Sequence, residues 1–281
     1  MLRLSLLVAL TMAAFAANSL LNRAAVDSGA IGPSGFALVR VAAGAALLVV
    51  LVLARREALP LWDRRRWTGA LSLTVYMVGF SLAYLTLDAG LGALILFGVV
   101  QITMLGLGAL GGAQVGRRQV VGAGVAFAGL AWILWPTGDA QASLSGGLWM
   151  AAAGIGWGVY TLSGRGEPAA LPATAANFCL ALPLTALPLL WAVGEGPATA
   201  TGLALAALAG AVTSGLGYAL WYSLVPRLGA ATAATLQLSV PVIALAAGAA
   251  LLAEAPGLRL ILGAGVVLGG IALALPRPAR G

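Results

Sequence analysis

The sequence predicts an all-α membrane protein: ten transmembrane helices forming two inverted-topology five-helix repeats around a central cavity. Three observations predict it. Of 281 residues, 61% are hydrophobic and 8% charged, with mean hydropathy +1.02, whereas a soluble domain of this size carries about a quarter charged residues. The chain contains ten apolar runs close to the roughly 20 residues that cross a bilayer. And it repeats itself: Gly122-Ala123-Gly124-Val125 with Gly129-Leu130-Ala131 returns as Gly263-Ala264-Gly265-Val266 with Gly270-Ile271-Ala272. Residues 1–138 and 139–281 are expected to be the two copies, joined in one integral membrane unit. Five spans per copy is an odd number, so the copies must be antiparallel, an arrangement frequent among small-molecule carriers.

The spans follow in order. Span 1 (4–25) opens on Arg3 and passes through Ala14-Phe15-Ala16, which imitates a secretory leader with its cleavage site. Phe15 to Arg23 returns faintly as Trp157 to Arg165, so the segment is expected to stay as a span; Asn18 and Asn22 share one of its faces. Span 2 (31–53) starts at Pro33, suited to a helix's first turn, and contains Arg40, the one basic residue clearly inside a span. Gly32-Pro33-Ser34-Gly35 fits the G-x-S-G pattern of an intramembrane serine protease, but the chain has no His to serve as base. Span 3 (67–87) sets Tyr76, Phe80 and Tyr84 on one helical face, and span 4 (90–112) has Gln101 near its middle. Span 5 (119–136) carries the first glycine motif.

Span 6 (146–163) carries Trp157, Tyr160 and a GxxxG spacing at Gly154 and Gly158, a spacing shared by Gly112/Gly116 and Gly265/Gly269. Small residues so placed let helices approach closely, and packing within the chain is expected over dimerisation. In span 7 (171–193), Asn177 reads as structural and Cys179 as a buried spectator thiol. Span 8 (200–223) places Ser214, Tyr218 and Tyr222 at an offset of 138 from Tyr76, Phe80 and Tyr84. Span 9 (229–252) has Gln237 near its middle and Pro241 four residues later, which leaves the Gln237 carbonyl without its helical partner. Span 10 (257–275) is glycine-rich.

All fifteen basic residues are Arg. Without Lys there is no Walker-type phosphate loop; without His there is no Ser-His-Asp chemistry and none of the usual zinc sites. The net charge of +7 sits in short loops between apolar runs, which points to membrane topology and not to nucleic acid. With the N-terminus in the cytoplasm, Arg3, 55, 56, 64, 65, 66, 117, 118, 165, 227, 277 and 280 fall inside and Arg23 and Arg259 outside, as the positive-inside rule requires. Asp27, Asp88, Asp139, Glu195 and Glu254 fall at the outer ends. No carboxylate sits mid-span, which argues against a cation exporter built on a buried Glu. No enzyme chemistry and no cofactor are expected.

Polar and aromatic side chains at membrane depth mark a cavity or an interhelical bond. Asn18, Tyr76, Phe80, Gln101, Trp157, Tyr160, Tyr218 and Gln237 are the candidate solute-binding residues. Arg40, Tyr84, Tyr222, Pro241 and Glu254 are assigned structural or gating roles: Arg40 in an ion pair with Asp27, Asp88 or Glu254; Tyr84 and Tyr222, with Trp221, near span ends where aromatic rings anchor at the interface.

The stretch from Tyr218 to Leu275 resembles the EamA branch of the drug/metabolite transporter superfamily. The residues that carry this are Arg227-Leu228-Gly229-Ala230, Ala233, Pro241-Val242, Glu254 and the glycines of the last span. Trp157-Gly158 and Arg40 are similar to residues common in the first and second spans of each family repeat. The chain departs from the pattern at Ala253, where the family usually has Gly, at Gln114 in the first-half position of Glu254, and at Phe15-Ala16. The resemblance implies a secondary transporter with a cavity lined by spans 1, 3, 4, 6, 8 and 9, often exporting amino acids or related metabolites. That expectation places the chain in a bacterial inner membrane, both termini cytoplasmic, as a monomer or homodimer, with a small solute and lipid as its partners. A carrier of nucleotide sugars or drugs and a non-transporting scaffold or enzyme are the alternatives.

Overall fold

A computed structural model describes residues 2–112, 116–135, 143–164, 167–191, 195–228 and 236–275. Gln114, Asp139, Arg165, residues 229–235, Arg277 and Arg280 lie outside these, as does the side chain of Tyr222. The described residues form helices joined by short loops, with no strand. In order they are α1 (Leu2–Asp27), α2 (Pro33–Ala54), α3 (Arg65–Ala83), α4 (Ala89–Leu110), α5 (Arg117–Leu134), α6 (Leu144–Ser163) and α7 (Ala170–Ala186). Then come a 3₁₀ turn (Leu187–Trp191), α8 (Ala200–Leu208), a π-helical stretch (Ala209–Leu216), α9 (Gly217–Leu228), α10 (Ser239–Leu251) and α11 (Leu258–Ala274). Leu208, Ala209 and Gly217 keep right-handed helical angles, so α8, the π stretch and α9 form one rod. The described residues thus form ten rods.

Five rods are long and apolar enough to cross a bilayer: Arg3–Asp27, Pro33–Ala54, Ala89–Leu110, Ala170–Leu190 and Ala200–Trp221; Ser239–Leu251 and Leu258–Ala274 are apolar but shorter. The outer surface exposes large apolar side chains, among them Leu53, Val75, Phe127, Leu148 and Trp149. Water would not tolerate so wide an apolar surface, and lipid does.

Local signals fix the ends. Pro33 stands in the first turn of α2, where its missing N–H costs nothing. Ser143 and Thr199 cap α6 and α8 by accepting from Gly146 and Gly202. The Glu195 carboxylate, from the loop before α8, accepts the Ser34 and Gly35 amides at the start of α2. The Ser34 loop is therefore a capped helix start.

The C-terminal ends of α1, α3, α5, α7 and α10 lie together at one end. The Ala30 carbonyl accepts from the Thr199 amide and hydroxyl at 2.8 and 2.9 Å. Glu254 accepts from the Ala89 amide at 2.9 Å. Arg259 donates to the Trp132 and Trp135 carbonyls, and Gly146 rests against Thr86 and Leu87. At the other end, Arg66 joins Glu167 and Asp63, linking the loops before α3 and α7. So α1 ends, and α6 begins, at the same end of the molecule.

Several helix contacts among the first rods recur among the later ones. α3 packs on α6 as the α8–α9 rod packs on α1. α4 packs on α6 as α10 packs on α1, and α2 on the α8–α9 rod as α7 on α3. α2 with α7, α4 with α10 and α5 with α11 pair across the middle. The duplicated glycine motif explains the last pair: a Cβ on Gly122 would stand 2.5 Å from the Gly270 carbonyl oxygen, and one on Gly270 2.7 Å from that of Gly122. Gly154 and Gly158 likewise press α6 against α4. Gly265, Gly269 and Gly112 have nothing within 4 Å of a built Cβ, and Gly116 meets only Gln119. Neither spacing is a close-packing site: Gly265 and Gly269 face away from the neighbouring helices, and Gly112 and Gly116 stand outside α4 and α5.

Candidate functional site

α1, α3, α4, α6 and the α8–α9 rod converge on an enclosed cavity of about 20 Å³, walled by Phe15, Asn18, Ser19, Tyr76, Phe80, Leu96, Phe97, Trp157 and Tyr218. That is room for about one water. Five of the eight sequence-predicted solute residues meet here: Asn18, Tyr76, Phe80, Trp157 and Tyr218. Trp157 is the hub. Its ring centroid lies 4.9 Å from Tyr76, 4.8 Å from Tyr218 and 5.4 Å from Tyr160, on which it stacks. Tyr160 is thus behind the wall. Gln101 and Gln237 are half-buried and line no part of this cavity. Phe97 does, and Gln101 lies one turn further along α4, away from the Ala89 end. Gln237 precedes α10, at the far end of that helix from Glu254.

A polar chain runs beside the aromatic wall. Arg40 is fully buried. Its Nε donates to Ser214 Oγ at 3.0 Å, and Ser214 Oγ reaches Asn18 Oδ1 at 3.2 Å. Thr213 Oγ1 reaches the same oxygen at 2.6 Å. Arg40 Nη2 donates to Tyr76 Oη at 3.0 Å, which also accepts from Tyr218 Oη at 3.3 Å. The guanidinium lies 5.3 and 4.8 Å from the Tyr76 and Phe80 ring centroids, within cation–π range. The π-helical stretch delivers Thr213 and Ser214 to this meeting point, and such stretches recur at functional sites. Thr213 and Ser214 carry no sequence signal of their own, because mid-helix hydroxyls ordinarily turn back to a carbonyl four residues earlier. The clue was the offset of 138 between Tyr76 and Ser214.

Arg40 does not make the expected ion pair. Arg23 holds those carboxylates: Asp27 at 2.9 Å, Glu254 at 3.1 Å and Asp88 at 3.6 Å, with the Tyr84 carbonyl at 3.1 Å. The loops that carry them gather around the last turns of α1, above Arg40. Burial raises the Glu254 carboxyl above its ordinary value, and the Ala89 amide and Arg23 oppose that shift. Burial raises Asp88 likewise; Arg23 opposes it, and Asp27 reinforces it.

Tyr84 and Trp221 are not interfacial anchors. Both are buried: Tyr84 meets Phe80 edge-on at 4.8 Å, and Trp221 packs on Phe15 at 5.8 Å. Pro241 falls in the first turn of α10, after a turn at Leu238 that separates it from the helical residues 236 and 237. The helix is thus interrupted beside Gln237, not kinked through it.

Three comparisons bear on this site. Residues 144–275 match the EamA-like transporter family. The uncharacterized protein PA1977 of Pseudomonas aeruginosa is 48% identical over 280 residues, covering 99% of this chain and 96% of that protein. A crystal structure of another protein superposes with a TM-score of 0.66 at 21% identity, over 96% of this chain and 97% of that one, and so shares its fold. This chain belongs to the EamA-like transporter family, within the drug/metabolite transporter superfamily.

Proposed function

We propose that the protein is a secondary transporter that exports amino acids or related small metabolites across a bacterial inner membrane by alternating access. The solute would lie between the two halves, where Trp157, Tyr76, Phe80 and Tyr218 form an apolar wall and Asn18 supplies a polar contact. The observation that carries this reading is the enclosed aromatic and polar cavity at the meeting point of both repeats. The gathering of five helix ends on one side, with α1 ending where α6 begins, supports an inverted repeat. The Arg23 cluster supports a shut end on that side, and at 20 Å³ the cavity has no room for a solute until the wall parts. Gln101 and Gln237 lie toward the opposite end, and the solute would meet them as the cavity opens that way. Both termini would then be cytoplasmic.

The test is export. Metabolites released by cells carrying the protein are compared with those released by cells carrying Trp157→Ala and Tyr218→Ala at equal membrane abundance. The expected outcome is one or a few amino acids released in excess by the intact protein and at background by both variants. Identical release from all three rejects the reading.

A further inference from the structure

We propose that Arg40 is the counter-charge for a carboxylate on the solute, so that the solute is a monoanionic acid or a zwitterion with an apolar body. This rests on the transport reading above and adds its substrate class and binding residue.

Among the described residues, no anion pairs with Arg40. Its Nε and Nη2 donate to Ser214 and Tyr76, and Nη1 is buried with no hydrogen-bond partner. Two hydroxyls and two ring faces soften the cost of burying the charge, yet none of them neutralises it. An uncompensated buried charge is expensive, and an ionised residue at membrane depth marks a functional site by default. The chain does own suitable carboxylates one loop away, and all three are held by Arg23. The cation at Arg40 is therefore kept unpaired beside the cavity wall, with one donor nitrogen open. A guanidinium fork matches a carboxylate. A dianionic phosphate would leave one negative charge unbalanced, since Arg40 is the one cation in this cluster among the described residues.

The repeat sharpens the assignment. The residue 138 positions after Arg40 is Phe178, and it packs on Tyr218 at 6.0 Å just as Arg40 lies over Phe80, the equivalent of Tyr218. Tyr76 and Ser214, which hold the guanidinium, are themselves 138 apart. One repeat thus places a cation where the other places a ring. A solute with an acid at one end and an apolar body at the other fits that asymmetry.

Purified full-length protein in lipid nanodiscs is titrated with L-phenylalanine and 3-phenylpropionate, and with their carboxamides, reading tryptophan fluorescence. The acids should bind about tenfold or more tighter than the amides, the usual worth of a charge-assisted bond. Arg40→Gln should erase that preference and Arg40→Lys retain part of it. Equal binding of acid and amide, an unchanged preference in Arg40→Gln, or no binding by any of the four overturns the proposal. If Arg40→Gln does not fold, Tyr76→Phe, which keeps the charge and removes the acceptor for Nη2, must shift the acid-to-amide ratio at least about threefold; an unchanged ratio overturns the proposal. Counterflow in proteoliposomes separates the two readings. Acid-selective binding without counterflow supports the carboxylate site and rejects transport. Counterflow of acid and amide alike rejects the site and leaves transport standing.

Discussion

Two seams whose residues stand about 138 positions apart in sequence are built from different materials. Along most of its length α3 meets α6 backbone to backbone, with Trp157 on Tyr76 the ring contact beside the cavity: a Cβ on Gly79 would stand 2.8 Å from the Trp149 carbonyl oxygen, and one on Gly156 2.7 Å from that of Ser72. α1 meets the α8–α9 rod through side chains. Asn18 bonds Thr213 and Ser214, and Phe15 packs edge-on against Tyr218 and Trp221. Gly217, the equivalent of Gly79, would place its Cβ at an ordinary 3.6 Å from Ala14. The first seam cannot slide without backbone collisions. The second is held by hydrogen bonds that a solute can replace and by a π-helical stretch that can rewind. In the transport reading, α3 and α6 move as one piece and the motion belongs to the second seam.

The largest effect should come from filling the glycine seam. Gly156→Ala puts a methyl between two backbones and should destabilise by about 1–3 kcal/mol, or prevent folding. Gly217→Ala in the other seam should be neutral or stabilising by up to about 1 kcal/mol, because helical Ala is preferred to Gly. Thermal midpoints by tryptophan fluorescence in one detergent decide it, and equal losses in both would erase the contrast. Next comes Asn18→Leu, which strips the buried Ser214 hydroxyl of its acceptor and leaves Thr213 only the Ala209 carbonyl, at a cost of about 1–3 kcal/mol. Hydrogen exchange should then quicken at least about fivefold across 209–216 and stay unchanged across 72–80. Acceleration in both segments would mean that the seams are not independent.

A smaller effect concerns the ends. Glu254 and Asp88 have raised carboxyl pKa values in the Arg23 cluster. The closed cluster therefore binds protons more tightly than an open or unfolded one. Stability is gained as pH falls through the raised values and lost as it rises above them. The protein should gain thermal stability from pH 7 toward about pH 5, near the ordinary carboxylate range, and Glu254→Gln should flatten that profile. A midpoint that falls on acidification would reverse the assignment.

Much of this was legible in the sequence because the bilayer restricts the options. The helical rods, the close packing at Gly154 and Gly158 and the meeting of Tyr76, Phe80, Trp157 and Tyr218 follow from length, repeat and helical spacing. The rest depends on neighbours brought from elsewhere in the chain. Gln101 shares the face of α4 that carries Phe97 but lies one turn beyond the cavity, and spacing alone does not say which way Gly265 and Gly269 face. Depth alone pairs Arg40 with the carboxylates at the outer span ends, and these belong to Arg23. Two loops far apart in sequence and the end of its own helix converge on that residue, and no local pattern announces their convergence. The π-helical stretch left no mark either, since its residues are as small and apolar as those of any neighbouring helix.

The smallest change is a control on the comparison of seams. Ala253 adopts φ +56°, the left-handed region that glycine favours, while the Glu254 amide bonds back to the Gly248 carbonyl at 3.2 Å. This is the glycine-type helix ending that the family pattern suggested at this position. A non-glycine residue held there costs about 1–2 kcal/mol, and the greater freedom of glycine in the unfolded chain offsets about half of that. Ala253 is exposed, so its methyl contributes little packing. Ala253→Gly should therefore stabilise by roughly 0.5–1 kcal/mol while leaving exchange across 209–216 untouched. A shift in that exchange would show that the strained cap at the Glu254 end is coupled to the second seam, and the ends and the seam would then have to be treated as one moving unit.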